Sequence, residues 1–151
     1  MLAVALSAAA QNYRRPTPSQ SNHHAADAAQ SVQIQCDTVA NPAVDSVVVT
    51  GFDKQLRSKR ETMFVSNHTA RPITSITLRI DYYDMADRQL HSATHSTSVD
   101  LPPGQTRQIE VPAFDRTDRF YYYLSPAPTR AKQATPFAVT VCVLQITHPK
   151  L

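Results

Sequence analysis

Apolar and polar side chains alternate most regularly between Pro72 and Asp84, where Ile76, Leu78, Ile80 and Tyr82 are separated by Thr77, Arg79 and Asp81. A helix would scatter those four apolar groups around its circumference, whereas a pleated strand puts them on one face. The spacing therefore predicts a half-buried β-strand, and a strand of that kind needs a second sheet to cover its apolar side. The implied fold class is all-β, an antiparallel β-sandwich.

The same period recurs on both sides of this strand. Before it, Val32, Ile34 and Cys36 alternate over Ser31–Cys36, Val47, Val48, Val49 and Phe52 mark Asp45–Asp53, and Met63, Phe64 and Val65 mark Glu61–Asn67. After it, Asp84-Met85-Ala86-Asp87-Arg88 reads as a tight turn, with Asp84 capping backbone amides and Asp87 tolerating positive φ. His91–Val99 is rich in Ser, Thr and His, which suits a sheet edge. Leu101-Pro102-Pro103-Gly104-Gln105-Thr106 is a second turn, in which Pro103 fixes φ and Gly104 takes positive φ. Strands are expected over Gln105–Val111, Arg119–Leu124 and Phe137–Thr147. In the last, Val139, Val141 and Val143 fall on one face and Cys142, Leu144 and Ile146 on the other, the pattern of a covered strand.

Composition narrows the organisation. Of the 151 residues, Leu2–Ala10 is short, apolar and small, a partial signal-peptide-like segment (residues 1–10) that lacks a basic start and implies an upstream beginning. Residues 11–30 are rich in Pro, Ser, Gln, Asn, His and Ala and read as a disordered linker. The β-sandwich domain is then 31–151. No apolar run approaches the ~20 residues needed to cross a bilayer. Only two glycines are present, so loops that cradle phosphates with several glycines have no material here. The net charge of +3 is small and the arginines are dispersed, which argues against nucleic acid.

The two cysteines, Cys36 and Cys142, form no CxxC pair. In an oxidising compartment they can bridge the first and last strands. The other reading makes Cys142 a small core residue and Cys36 a free thiol.

Tyr83-Asp84-Met85-Ala86-Asp87, Leu90 and Leu101-Pro102-Pro103-Gly104-Gln105-Thr106, taken in order, resemble the FxLYD-type family of small bacterial immunoglobulin-like sandwiches over about residues 67–114. In that family an Asn-Thr turn enters an apolar strand ending in Tyr-Asp, a glycine closes the hairpin, and a Leu-Pro-Gly-Gln-Thr turn starts a later strand. Here Asp87 stands in place of the glycine, and Tyr82-Tyr83-Asp84 in place of Leu-Tyr-Asp. The resemblance implies an immunoglobulin-like sandwich of about 7 to 9 strands, extracytoplasmic and non-enzymatic, and it transfers no catalytic residue.

No catalytic, cofactor-binding or metal-ligating set emerges from the residues. Asp81, Asp84 and Asp87 recur every third position, unlike the alternating ligands of a calcium loop. His91 and His95 share a strand face but stand ~13 Å apart, too far for one metal. Asn67-His68-Thr69 is formally a glycosylation sequon. The expected function is an exported binding or structural module of the bacterial cell envelope, periplasmic or secreted, with an unknown protein partner. A carbohydrate-binding or hydrolase accessory domain is the alternative, and the lack of tryptophan weighs against it. Besides a sheet edge, two surfaces are candidates: the aromatic run Tyr121, Tyr122 and Tyr123, and the basic loop carrying Lys54, Arg57, Lys59 and Arg60. A solvated hairpin loop is the plain reading of the second, and an acidic partner the functional one.

Overall fold

The computed structural model describes residues 46–129 and 133–151. Within them lie seven strands and no helix: β1 (Val47–Asp53), β2 (Arg60–Asn67), β3 (Ile73–Asp84), β4 (Gln89–Leu101), β5 (Thr106–Pro112), β6 (Phe120–Tyr122) and β7 (Thr135–Thr147). The segments 1–10 and 11–30, the strand expected over Ser31–Cys36, and Cys36 itself lie outside the described residues.

Two sheets enclose one core. The first has the order β1-β2-β5, the second β4-β3-β7-β6. The alternation that singled out β3 has its expected consequence, because Ile76, Leu78, Ile80 and Tyr82 are fully buried. Burying each such side chain contributes roughly 1.5–3 kcal/mol. Facing them from the first sheet are Val47, Val49 and Phe52 of β1, Met63 and Val65 of β2, and Ile109 and Val111 of β5. β4 takes the edge of its sheet, as its polar composition predicts.

Both tight turns form as the residues require. Asp84 accepts from the amides of Ala86 and Arg88, and Asp87 sits at φ 62°. Gly104 sits at φ 74°, and Gln105 N donates to Pro102 O, closing a turn of type II form.

Three expectations need correction. The sandwich is not wholly antiparallel, since β6 runs parallel to β7. A parallel neighbour needs a crossover of about a dozen residues, and positions 123–134 separate the two strands in the sequence. Secondly, β6 is three residues long rather than spanning Arg119–Leu124. Thirdly, the face alternation of β7 breaks at Leu144: Thr77 pairs with Gln145 but Leu78 with Val143, leaving Leu144 as an extra residue. The bulge turns Ile146 onto the core face opposite Ile76, while Cys142, opposite Arg79, stays on the outer face. A second bulge in β1, at Gly51 (φ 63°), brings Phe52 inward beside Val49.

Candidate functional site: a buried charge cluster under a basic loop

The inward row of β2 reads Glu61, Met63, Val65, Asn67, so a polar group closes each end of the apolar pair. Both polar groups are fully buried. Asn67 ties three segments together: its amide donates to Arg71 O and Leu101 O, each at 2.9 Å, and its oxygen accepts from the amide and hydroxyl of Thr69. The sequon asparagine is thus a buried knot at the end of β2, with its nitrogen committed.

At the other end, Tyr82 on β3 donates to Glu61 Oε2 at 2.6 Å, and Phe114 N donates to Oε1 at 3.0 Å. Burial pushes the Glu61 carboxyl above its ordinary range, against the pull of those two donors and of Lys54. Burial likewise pushes the Tyr82 hydroxyl up, and the neighbouring carboxylate adds to it. Around them Phe114 packs on Tyr82 with ring centres 4.3 Å apart and on Phe137 at 5.0 Å.

Lys54 follows β1 and is 1% exposed. Its ammonium donates to Phe120 O at 2.7 Å and reaches Gln55 O, Leu56 O and, at 3.7 Å, Asp115 Oδ2. Burial lowers its pKa, with Asp115 and Glu61 opposing. Asp115 is buried too. It accepts from the amides of Thr117, Arg119 and Phe120 and from the Thr117 hydroxyl, and these donors outweigh the effect of burial and hold its pKa at about 2. Asp115 therefore builds the 115–120 turn, and Lys54 fastens that turn to the β1–β2 loop.

The candidate basic surface is thereby divided. Lys54 points inward and is satisfied, so it is a structural cation rather than part of an interaction surface, because a buried ammonium must find several acceptors. Arg57, Lys59 and Arg60 are exposed, and Lys59 pairs with Asp118 at 2.5 Å. The structure sets Arg57 and Arg119 on one groove, a juxtaposition the sequence does not signal. Together with Leu56, Thr117, Asp118, Gln133 and Ala134 they line an open groove of about 580 Å³.

The aromatic candidates divide as well. Tyr122 is buried against Phe52, at a ring separation of 5.0 Å, and its hydroxyl is pushed up to about 12 by burial and by Tyr123. Tyr121 is half-buried and Tyr123 is 44% exposed. Tyr122 therefore leaves the proposed surface, because it faces the core as alternation along β6 demands.

Two of the three carboxylates weighed for calcium are otherwise engaged: Asp81 pairs with Arg79 and accepts from Ser92, and Asp84 pairs with Arg88. Among the described residues no group of three or more His, Cys, Asp or Glu is placed to hold a metal. No helix among them is long and apolar enough to cross a membrane. His91 and His95 both sit on the inward side of β4, paired with Tyr82 and Leu78. His95 Nε2 is buried without a hydrogen-bond partner.

No family model, curated protein or solved structure matches this chain.

Proposed function

We propose that the protein is an exported, non-enzymatic binding module of the bacterial cell envelope, with an immunoglobulin-like sandwich of the FxLYD type, that takes an extended segment of a partner protein along the free edge of β4. The observation that carries this reading is the character of that edge. β4 is thirteen residues long, pairs among the described residues only with β3, and its register shifts lie near its two ends. Between Leu90 and Val99 it has no proline, lysine or other fixed charge, the devices that normally blunt an edge. The remaining edges are guarded: β1 carries the Gly51 bulge, β5 ends in Pro112 and bears Arg107 and Glu110, and β6 is short. An unguarded edge of this length suits strand addition, in which main-chain hydrogen bonds supply affinity.

The immunoglobulin-like part of the reading is supported by strand neighbours. The orders β1-β2-β5 and β4-β3-β7 correspond to A-B-E and C′-C-F of such a sandwich. Asp87 at positive φ meets the backbone demand that the FxLYD-type hairpin places on glycine. The Cys36–Cys142 bridge belongs to the same proposal. It is supported by the burial of Cys142 and by the lack of a free thiol among the described residues. Cys142 lies on the face of β7 turned away from the core, where the Arg79 guanidinium reaches its sulfur at 3.9 Å.

The test places a charge on the outer face of β4 while sparing its pairing with β3. Thr94 lies opposite Arg79 and Ser98 opposite Ser75, so Thr94→Glu with Ser98→Lys is compatible with the sheet. Crosslinking in envelope extract should give wild type a discrete partner band that this double variant loses. Equal recovery by both proteins would overturn the reading, as would sedimentation showing that a second copy occupies the edge.

A further inference from the structure

We propose that the groove between the β1–β2 loop and the 115–119 turn binds a carboxylate-rich peptide segment through Arg57 and Arg119. The two arginines come from positions 62 residues apart (119 − 57), and both line the groove. Neither guanidinium has an acceptor among the described residues: the ion pairs there belong to Lys54, Lys59, Arg79 and Arg88. The carboxylate in the groove wall, Asp118, is neutralised by Lys59 at 2.5 Å, and Lys59 is fixed further by donating to Arg116 O at 2.9 Å. Two unspent positive forks therefore remain in a groove that Leu56 and Ala134 also line.

The forks stand on a rigid base. Arg119 N donates to Asp115 Oδ2 at 2.9 Å, and buried Lys54 ties Asp115 to the loop that carries Arg57. Guanidinium groups carried on a fixed backbone suit bidentate capture of carboxylates or phosphates. The backbone distinguishes the two ligands. Phosphate sites commonly recruit free amides from a turn, but the amides of Thr117, Arg119 and Phe120 are all consumed by Asp115. Side-chain forks without a backbone nest favour carboxylates, and two forks favour a segment carrying more than one. The groove and the β4 edge are separate surfaces, so failure of one leaves the other standing.

The experiment measures fluorescence anisotropy of a labelled hexaglutamate peptide, with hexaglutamine as the neutral control. Expected are binding of hexaglutamate alone, a loss of at least about tenfold for Arg57→Ala and for Arg119→Ala, and no change for Arg88→Ala, whose guanidinium is held by Asp84 on the β3–β4 turn. Both groove arginines are exposed, so their removal leaves the core intact. No preference for hexaglutamate over hexaglutamine would overturn the proposal. An equal loss in Arg88→Ala would do the same, by showing attraction to overall charge. Displacement of the peptide by an equal concentration of inorganic phosphate would assign the groove to phosphate instead and also overturn it.

Discussion

Glu61 shows how much of this fold rests on single polar groups. It sits in an inward row where a hydrophobic residue would be expected, and it has work at both oxygens: one satisfies the Tyr82 hydroxyl, the other the Phe114 amide. Removing one partner of a buried charged network leaves the rest unsatisfied, at about 3–5 kcal/mol. Glu61→Ala should lose roughly that much in urea denaturation, and Glu61→Gln, which keeps an acceptor, markedly less. An alanine variant as stable as wild type would show that the cluster does not stabilise the fold. Asp115 makes a second prediction. Its folded pKa of about 2 lies below the ordinary 3.8, so the unfolded chain binds protons more readily as pH falls. Its contribution, roughly 2 kcal/mol, is complete above pH 3.8 and is lost as pH falls toward 2. Thermal unfolding should therefore show an acid limb below about pH 4 that is shallower in Asp115→Asn, and an unchanged limb would contradict the assignment. Alternation along the chain marks Glu61 only as a strand boundary and Lys54 only as a member of a basic loop. Nothing in a linear pattern distinguishes a lysine that enters the core from three neighbouring cations that do not.

At the scale of elements, the strands were legible because a period of two survives in β2, β3 and β5, and the turns because Asp84, Asp87, Pro103 and Gly104 carry specific backbone demands. Bulges were not legible. Gly51 in β1 and Leu144 in β7 each insert a residue and reverse the facing of the residues beyond it, and a bulge is decided by the partner strand across it. Gly51 also explains the exposed Phe64, whose ring covers the glycine from β2. A Cβ built at Gly51 would approach Phe64 Cδ2 to 2.8 Å, on a backbone at φ +63°. Gly51→Ala should cost about 1–2 kcal/mol in left-handed strain alone, with the ring clash in addition. In a double-mutant cycle with Phe64→Ala the clash component disappears and the strain component persists. Full additivity of the two changes would show that the ring does not rest on the glycine.

Across the described residues, two sheets of three and four strands meet over one core, and the chain's two cysteines lie far apart in sequence, at positions 36 and 142. A Cys36–Cys142 bridge would constrain the unfolded chain by about 4–5 kcal/mol in the loop-entropy model. Alkylation before reduction should leave both thiols unmodified, and Cys142→Ser should lower the denaturation midpoint; complete alkylation without reductant would eliminate the bridge. The all-β character, the edge position of β4 and the chemistry of both tight turns came from the residues alone, because each depends on side-chain period or on the φ that one residue can adopt. The parallel β6–β7 pair, the inward turn of Lys54 and Tyr122, and the placing of Arg57 and Arg119 on one groove were decided only by the tertiary structure. Each depends on which distant segments pack together, and that choice belongs to the core as a whole rather than to any local stretch of chain.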